Sequence, residues 1–314
     1  MIDFFLLVLG LIVLVIGGDM LVRGAVAIAE RLMIPPLIIG LTIVSLGTSA
    51  PELFISVQAA LAGSGGLAIG NVIGSNIANV LLVLGVPALI HTQNCEDKKI
   101  GRNVLIMVGI TVVFMGMLAK GSMGRFDGFI LIVLLGLFLF DQYLSAKRRK
   151  SEEIHDYHDD VPALPSNLVT SIGLLIGGVI LLPLGAWLTV DAARAIASSL
   201  GVSDEIIGLT IVAIGTSLPE LAASLMAVLR GSSSVAIGNV VGSNVFNIAA
   251  IMGITTLITG IEVSDHLIYV DMWVMLAVCL LLGWLAWYKK QVSRRSGLLM
   301  LAAYTLYLGA AFLN

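Results

Sequence analysis

Glu52 lies in the heptapeptide GTSAPEL (residues 47–53) and Glu220 in GTSLPEL (215–221), each near the middle of a long apolar stretch. A carboxylate at that depth in hydrocarbon costs on the order of 2.5–3.5 kcal/mol on insertion scales. No Lys or Arg within either stretch offsets it. A protonated or internally paired structural Glu is one reading. The other is a bound cation that supplies the missing positive charge, and the neighbouring residues favour it. Thr48 and Ser49 precede Glu52 by four and three residues, so on a helix both hydroxyls share the carboxylate's face; Thr216 and Ser217 repeat the arrangement before Glu220. Pro51 lacks an N–H and crowds the carbonyl of Gly47, and Pro219 does the same to Gly215. Each helix should break there, turning free carbonyls and the negative end of its first half towards the break. Carboxylate, hydroxyl and carbonyl oxygens around a hollow are hard ligands, suited to Ca2+ or Na+ and poor for zinc or copper.

A second polar stripe follows each heptapeptide. Ser75 and Asn79 are four residues apart, as are Ser243 and Asn247, in helices whose GNVIGSN (70–76) and GNVVGSN (238–244) strings also carry small residues for close packing. For Asn71, Asn76, Asn239 and Asn244, packing or backbone capping stands beside ligation as a reading. Ser56 and Ser224 read as helix–helix hydrogen bonders.

The elements that hold these residues are membrane spans. Of 314 residues, 58% are hydrophobic and 12% charged, against about 25% charged in soluble domains. The net charge of −3 points to no nucleic-acid partner. Cys95, in a polar loop, and Cys279, in a span, form neither a disulfide framework nor a metal spacing. The first apolar run, Phe4 to Ile16, has no basic flank or cleavage site and reads as a span rather than a signal. Apolar windows place ten helices near 3–29, 37–61, 67–90, 103–120, 126–145, 166–198, 205–229, 235–258, 269–288 and 297–313. The polar stretch AKRRKSEEIHDYHDDVPALP (146–165) then divides residues 1–145 from 166–314, five spans on each side. With both termini outside, 14 of the 17 Lys and Arg residues fall on the cytoplasmic side, all but Lys120, Arg125 and Arg194. The opposite orientation inverts that ratio.

Residues 40–85 and 208–253 align without a gap at an offset of 168, with 26 of 46 positions identical, Thr, Ser, Pro, Glu and Asn among them. Shared membrane composition does not produce such matches, so the chain carries a duplication. Five spans separate the copies, and an odd number sets them in opposite directions across the membrane. Inverted repeats of this kind mark secondary transporters, with the substrate site near the midplane where the halves meet. The expected fold is an all-α integral membrane protein of ten transmembrane helices in two inverted five-helix repeats, helices two and seven broken.

Smaller features are weighed the same way. His155 and His158 in EEIHDYHDD (152–160) could bind a metal, but a solvated loop needs no ligand to explain it. Asp19 with Arg23, and Asp191 with Arg194, have helical spacing for pairing near span ends. Trp187, Trp273, Trp284 and Trp287 fall mostly near span ends and read as interfacial anchors.

The paired GTS-x-PE and GNV-x-GSN strings resemble the alpha-repeats of the cation/calcium exchanger superfamily, specifically its sodium/calcium exchanger branch of prokaryotic type. That resemblance implies a calcium site centred on Glu52 and Glu220 with Thr48 and Thr216. It implies flanking sodium sites at Ser49, Ser75, Ser217 and Ser243, with backbone carbonyls near Ser45 and Ala213. Some relatives carry Asp where this chain has Asn247, so the site here holds two carboxylates where theirs holds three. The activity implied is a Na+/Ca2+ antiporter of a prokaryotic cytoplasmic membrane that moves Ca2+ outward and takes no cofactor beyond its transported ions. The 146–165 loop is too short for a regulatory calcium domain like those inserted in eukaryotic relatives. A Ca2+/H+ exchanger remains the alternative, since two carboxylates can trade Ca2+ for protons. A cation channel is less consistent, because channels are usually symmetric oligomers whereas one chain carries both halves of a closed site; a monomer should therefore suffice. No nucleophile, base and metal constellation suggests an enzyme.

Overall fold

Apolar runs of twenty residues and more coil into helices in the computed structural model, which describes residues 2–149, 165, 167–202 and 213–313. In chain order they are α1 (Ile2–Leu32), α2 (Pro36–Thr48), α3 (Ala50–Leu61), α4 (Gly65–Ile90), α5 (Lys98–Leu118), α6 (Arg125–Arg149), α7 (Leu168–Ser199), α8 (Ala213–Thr216), α9 (Leu218–Leu229), α10 (Ser233–Ile258), α11 (Leu267–Lys289) and α12 (Arg294–Leu313). Among the described residues seven helices are long and apolar enough to cross a membrane, and the bent pair α2–α3 makes an eighth. Helices α8, α9 and α12 occupy the places of the seventh and tenth expected spans. Residues 205–212 of the seventh, and the histidine-bearing loop at 152–160, lie outside the described residues.

Burial separates a centre from a periphery. The apolar windows of α4 and α10 are 72% and 83% buried, against 33% for α1 and 22% for both α6 and α7. The central helices are therefore the two that carry the GNV-x-GSN strings. Backbones touch where glycine permits it: a Cβ on Gly238 of α10 would lie 2.6 Å from the Leu37 carbonyl of α2, and one on Gly242 2.6 Å from that of Leu41. On the periphery α1 runs antiparallel to α7 along a glycine seam. Gly10 meets Gly185 and Thr189, Gly17 meets Leu181, Gly24 meets Ser171 and Leu175, and Gly178 meets Leu21.

The duplication is visible in the backbone. α3 and α9, and α2's last turn (Ser45–Thr48) and α8, correspond at the offset of 168. Ser49 has φ −85° and ψ 5°, Ser217 φ −88° and ψ 3°.

Several features go beyond the sequence reading or differ from it. Two antiparallel ladders join the loops: β1 (Gln93–Asn94) sets Gln93 opposite Val292 of β4 (Gln291–Val292), and β2 (Ser122–Met123) sets Met123 opposite Ile261 of β3 (Ile261–Glu262). α5 starts five residues before the expected 103 because the Asp97 carboxylate accepts from the Lys99 N–H at 2.9 Å and caps it. α6 runs to Arg149, into the stretch read as linker. Asp19 pairs with Arg23 at 3.6 Å as expected and also with Arg230 at 2.6 Å, tying α1 to the end of α9. Asp191 and Arg194 are both exposed and, among the described residues, form no ion pair with each other. The four tryptophans are all exposed.

Candidate ion-binding site

Both predicted breaks are present. The chain leaves the helix at Ser49 and turns by 46° between α2 and α3; Ser217 separates α8 from α9 in the same way. Pro51 and Pro219 sit in the first turn of the second half-helix, where a missing N–H leaves no gap in the hydrogen-bond ladder. Glu52 and Glu220 lie in that same turn. The first half-helix brings its negative end to the break, as its sequence leads one to expect. The fold also sets each carboxylate at the positive end of the second, which partly compensates its charge.

Neither serine caps its own helix with its hydroxyl. Ser49 Oγ instead donates to Glu220 Oε1 at 3.2 Å, linking the first break to the second carboxylate. Thr48 Oγ1 lies 3.3 Å from the Ser45 carbonyl, 3.3 Å from Asn239 Oδ1 and 3.5 Å from Ser243 Oγ, so α2 is joined to α10 beside the break. The carboxylates of Glu52 and Glu220 are near enough to repel one another. Both are at most 1% exposed.

Asn71 and Asn239 act as backbone anchors. Asn239 Nδ2 donates to the Glu220 carbonyl at 3.3 Å and to Ser224 Oγ at 3.0 Å; Asn71 Nδ2 does the same to the Glu52 carbonyl at 3.5 Å and to Ser56 Oγ at 3.0 Å. Ser56 and Ser224 are thus helix–helix hydrogen bonders, as expected. Ser45, Ser75 and Ser243 are buried and Thr216 is half-buried. Ala213 opens α8. The Ser45 carbonyl accepts from Ser49 N–H at 3.0 Å as well as from Thr48, and Ser217 N–H donates to the Ile214 carbonyl at 3.1 Å.

Asn79 opens a π-helical turn, Asn79–Val83, and Asn247 lies within another, Phe246–Met252. Such turns recur at functional sites, because the widened helix re-aims its side chains. Four asparagines meet where α4 crosses α10. Asn79 Nδ2 donates to Asn244 Oδ1 at 3.1 Å and Asn247 Nδ2 to Asn76 Oδ1 at 3.1 Å. Asn76 and Asn244 each donate to the other's carbonyl at 3.4 Å. Packing, capping and ligation are all compatible with the sequence around Asn76 and Asn244; their role as cross-helix partners has no signature within one helix.

Five buried oxygens in this region have no hydrogen-bond partner among the described residues: Glu52 Oε2, Glu220 Oε2, Asn79 Oδ1, Asn247 Oδ1 and Ser217 Oγ. Buried polar atoms are nearly always paired. These five orphaned acceptors, drawn from both copies of the motif, are of the oxygen types that a hard cation accepts as ligands. Among the described residues no three His, Cys, Asp or Glu side chains cluster as a metal site, so a cation held here would rest on two carboxylates and neutral oxygens.

The chain is similar to known proteins along its whole length. The family model described as "Sodium/calcium exchanger protein" matches residues 2–144 and 170–313. The sodium/calcium exchanger MaX1 of Methanosarcina acetivorans is 31% identical over an alignment of 351 positions, covering 99% of both chains. The inner membrane protein YrbG of Escherichia coli is 34% identical over 313, covering 98% of this chain and 96% of its own. Among solved structures, the sodium-calcium exchanger NCX_Mj soaked with Na+ and Ca2+ superimposes with a TM-score of 0.85 at 33% identity, covering 98% of each chain.

Proposed function

This chain belongs to the sodium/calcium exchanger family of prokaryotic type, and from that membership we propose that it exchanges Na+ for Ca2+ by alternating access and extrudes Ca2+. Family membership makes it a cation/calcium antiporter and a multi-pass membrane protein, whose ions are substrates and which needs no cofactor. The coupling ion, the direction and the residues involved are our reading. The observation that carries it is the group of five partnerless buried oxygens contributed by both halves.

In this reading Glu52 and Glu220, with Thr48 and Thr216, hold Ca2+. Ser49, Ser75, Ser217 and Ser243 serve Na+ with the carbonyls near Ser45 and Ala213. Asn79 and Asn247 face the space between, and the Ser45 carbonyl would exchange one of its two present donors for an ion. Two ionised carboxylates balance one Ca2+ or two Na+, so the same oxygens accept either cargo but not both. An ion-free site leaves two like charges adjacent in low dielectric, which disfavours an occluded, unloaded state and suppresses leak. The hydroxyls favour Na+ over H+, because a proton carried on a carboxylate needs no extra oxygen ligands. The name and overall match of MaX1 support the same choice.

The architecture proposed with this function is ten spans in two inverted repeats, residues 1–145 and 166–314, joined by a cytoplasmic loop near 146–165. Both termini face outward in a prokaryotic inner membrane, and one chain suffices for transport. The repeated backbone at an offset of 168 and the antiparallel α1–α7 seam support opposite directions for the halves. The deciding experiment is radiolabelled Ca2+ flux in proteoliposomes under an imposed Na+ gradient, a pH gradient or neither. Flux driven by Na+ is expected. Flux driven by pH and indifferent to Na+ would establish Ca2+/H+ exchange instead.

A further inference from the structure

The four asparagines at the crossing of α4 and α10 are arranged reciprocally: Asn76 of the first half touches Asn247 of the second, and Asn244 of the second touches Asn79 of the first. We propose that Asn76 and Asn244 are positioning residues that fix which way the amides of Asn79 and Asn247 face, each aiming the ligand oxygen of the opposite half. The inference rests on the reading of Asn79 and Asn247 as ligands.

A carboxamide has an oxygen at one end and a nitrogen at the other, nearly identical in shape, and only its hydrogen-bond partners decide its orientation. Asn79 gives Nδ2 to Asn244 Oδ1 at 3.1 Å, so Asn79 Oδ1 is turned away and is partnerless. Asn247 gives Nδ2 to Asn76 Oδ1 at 3.1 Å, and Asn247 Oδ1 is partnerless in the same way. Rotating either ligand amide by half a turn would set two acceptors against each other and point N–H groups at a cation. The outer amides are themselves fixed. Asn244 Nδ2 donates to the Asn76 carbonyl at 3.4 Å, and Asn76 Nδ2 to the Asn244 carbonyl at 3.4 Å with Met275 Sδ at 3.7 Å. Orientation thus passes from a backbone carbonyl to the outer amide, and from there to the ligand amide. All four side chains are at most 1% exposed, which leaves water little access to substitute for a lost partner. The arrangement also makes an amide at 247 part of a matched set, because an ionised Asp there would face Asn76 Oδ1 with no proton between them.

Outer-shell partners of a metal ligand are typically worth 10–100-fold in affinity. The test measures Ca2+ half-saturation and maximal exchange rate in proteoliposomes, with Ca2+ binding to the purified chain followed by calorimetry. Asn76→Ala is expected to raise half-saturation about ten-fold with the maximal rate held within about two-fold. Asn247→Ala should raise half-saturation by the same factor, and the double variant should be no worse than Asn247→Ala alone, because the two residues act as one unit. Asn76→Ala combined with Asn79→Ala, whose side chains share no hydrogen bond with each other, should raise half-saturation beyond either single variant. The mirrored cycle with Asn244→Ala and Asn79→Ala gives an independent reading should Asn76→Ala fail to fold. Unchanged half-saturation in both Asn76→Ala and Asn244→Ala, or multiplying effects in the 76/247 pair, overturns the proposal. If Asn247→Ala weakens binding and Asn76→Ala does not, positioning alone fails. A silent Asn247→Ala removes the ligand reading itself, and the inference with it.

Discussion

Ser49 donates its hydroxyl proton to Oε1 of Glu220 at 3.2 Å, across 171 positions of sequence, while the equivalent hydroxyl of Ser217 has no partner among the described residues. The two serines share a motif and backbone angles that agree within a few degrees. Their hydroxyls differ in what faces them. One carboxylate of the proposed site is therefore steadied by the opposite half, and Ser217 Oγ is left as a fifth acceptor.

That difference separates two substitutions which sequence alone would treat as equivalent. A hydrogen bond to a charged group contributes about 1.5–3 kcal/mol, so Ser49→Ala should lower the melting temperature of the ion-free protein by a few degrees. Ser217→Ala should leave it unchanged. Both should raise the Na+ concentration for half-maximal exchange. Thermal melting in Na+- and Ca2+-free detergent decides, and equal melting of the two variants would count against the Ser49–Glu220 bond.

Replacing either carboxylate tests the charge balance. Glu52→Gln or Glu220→Gln keeps the shape of the site but leaves one unit of Ca2+ charge uncompensated. Removing one member of a buried charge pair costs about 3–5 kcal/mol, over a hundred-fold, so Ca2+ flux should vanish against background. One remaining carboxylate still balances one Na+, and radiolabelled Na+ binding to the purified variants should persist at reduced stoichiometry. Ca2+ exchange at the normal rate in either variant would remove that residue from the site.

The carboxylates, hydroxyls and breaks were legible in the sequence because a proline and an acid in mid-span violate what hydrocarbon tolerates. Their repetition at a fixed offset removed chance as an explanation. Partners were not legible. The spacing of Asn76 and Asn79 within α4 says nothing of the helix that crosses it, and Arg230 lies 211 residues from Asp19, which it grips. The ladders β1–β4 and β2–β3 are two residues long, too short for an alternation to register. The early start of α5 could have been found, since Asp97 before two lysines is an N-cap signal; hydropathy discounts the polar first turn it creates.

The α1–α7 seam gives a stability prediction independent of ions. A Cβ on Gly178 would lie 2.5 Å from the Leu21 backbone nitrogen and 2.6 Å from its Cα. Backbone cannot swing aside as a flexible side chain does, so the helices must separate. Overpacking of this kind costs about 1–3 kcal/mol. Gly178→Ala should therefore melt earlier than the parent protein. Gly173→Ala on the same helix, where a Cβ meets nothing within 4 Å, should not. Identical melting of both would mean that the seam does not hold the helices together.

Cys95 reports on the β1–β4 ladder, which pairs the α4–α5 loop with the α11–α12 loop on the proposed cytoplasmic side. It follows β1 directly, its backbone N–H donates to the Lys290 carbonyl at 2.8 Å, and the residue is 2% exposed. Burial pushes its thiol up to about 12, although a hydrogen bond from the Val292 backbone pulls the other way. The thiolate is the reactive species, so at pH 8 only about one molecule in ten thousand would carry it, from the four-unit gap between pH and pKa. Cys279 is also fully buried, inside α11. The folded protein should therefore take up no maleimide at pH 8 over an hour, and the unfolded chain should take up two, as read by intact mass. A single rapid adduct at Cys95 in the folded protein would show that β1 and β4 part readily, and that the two halves are not clasped at this end.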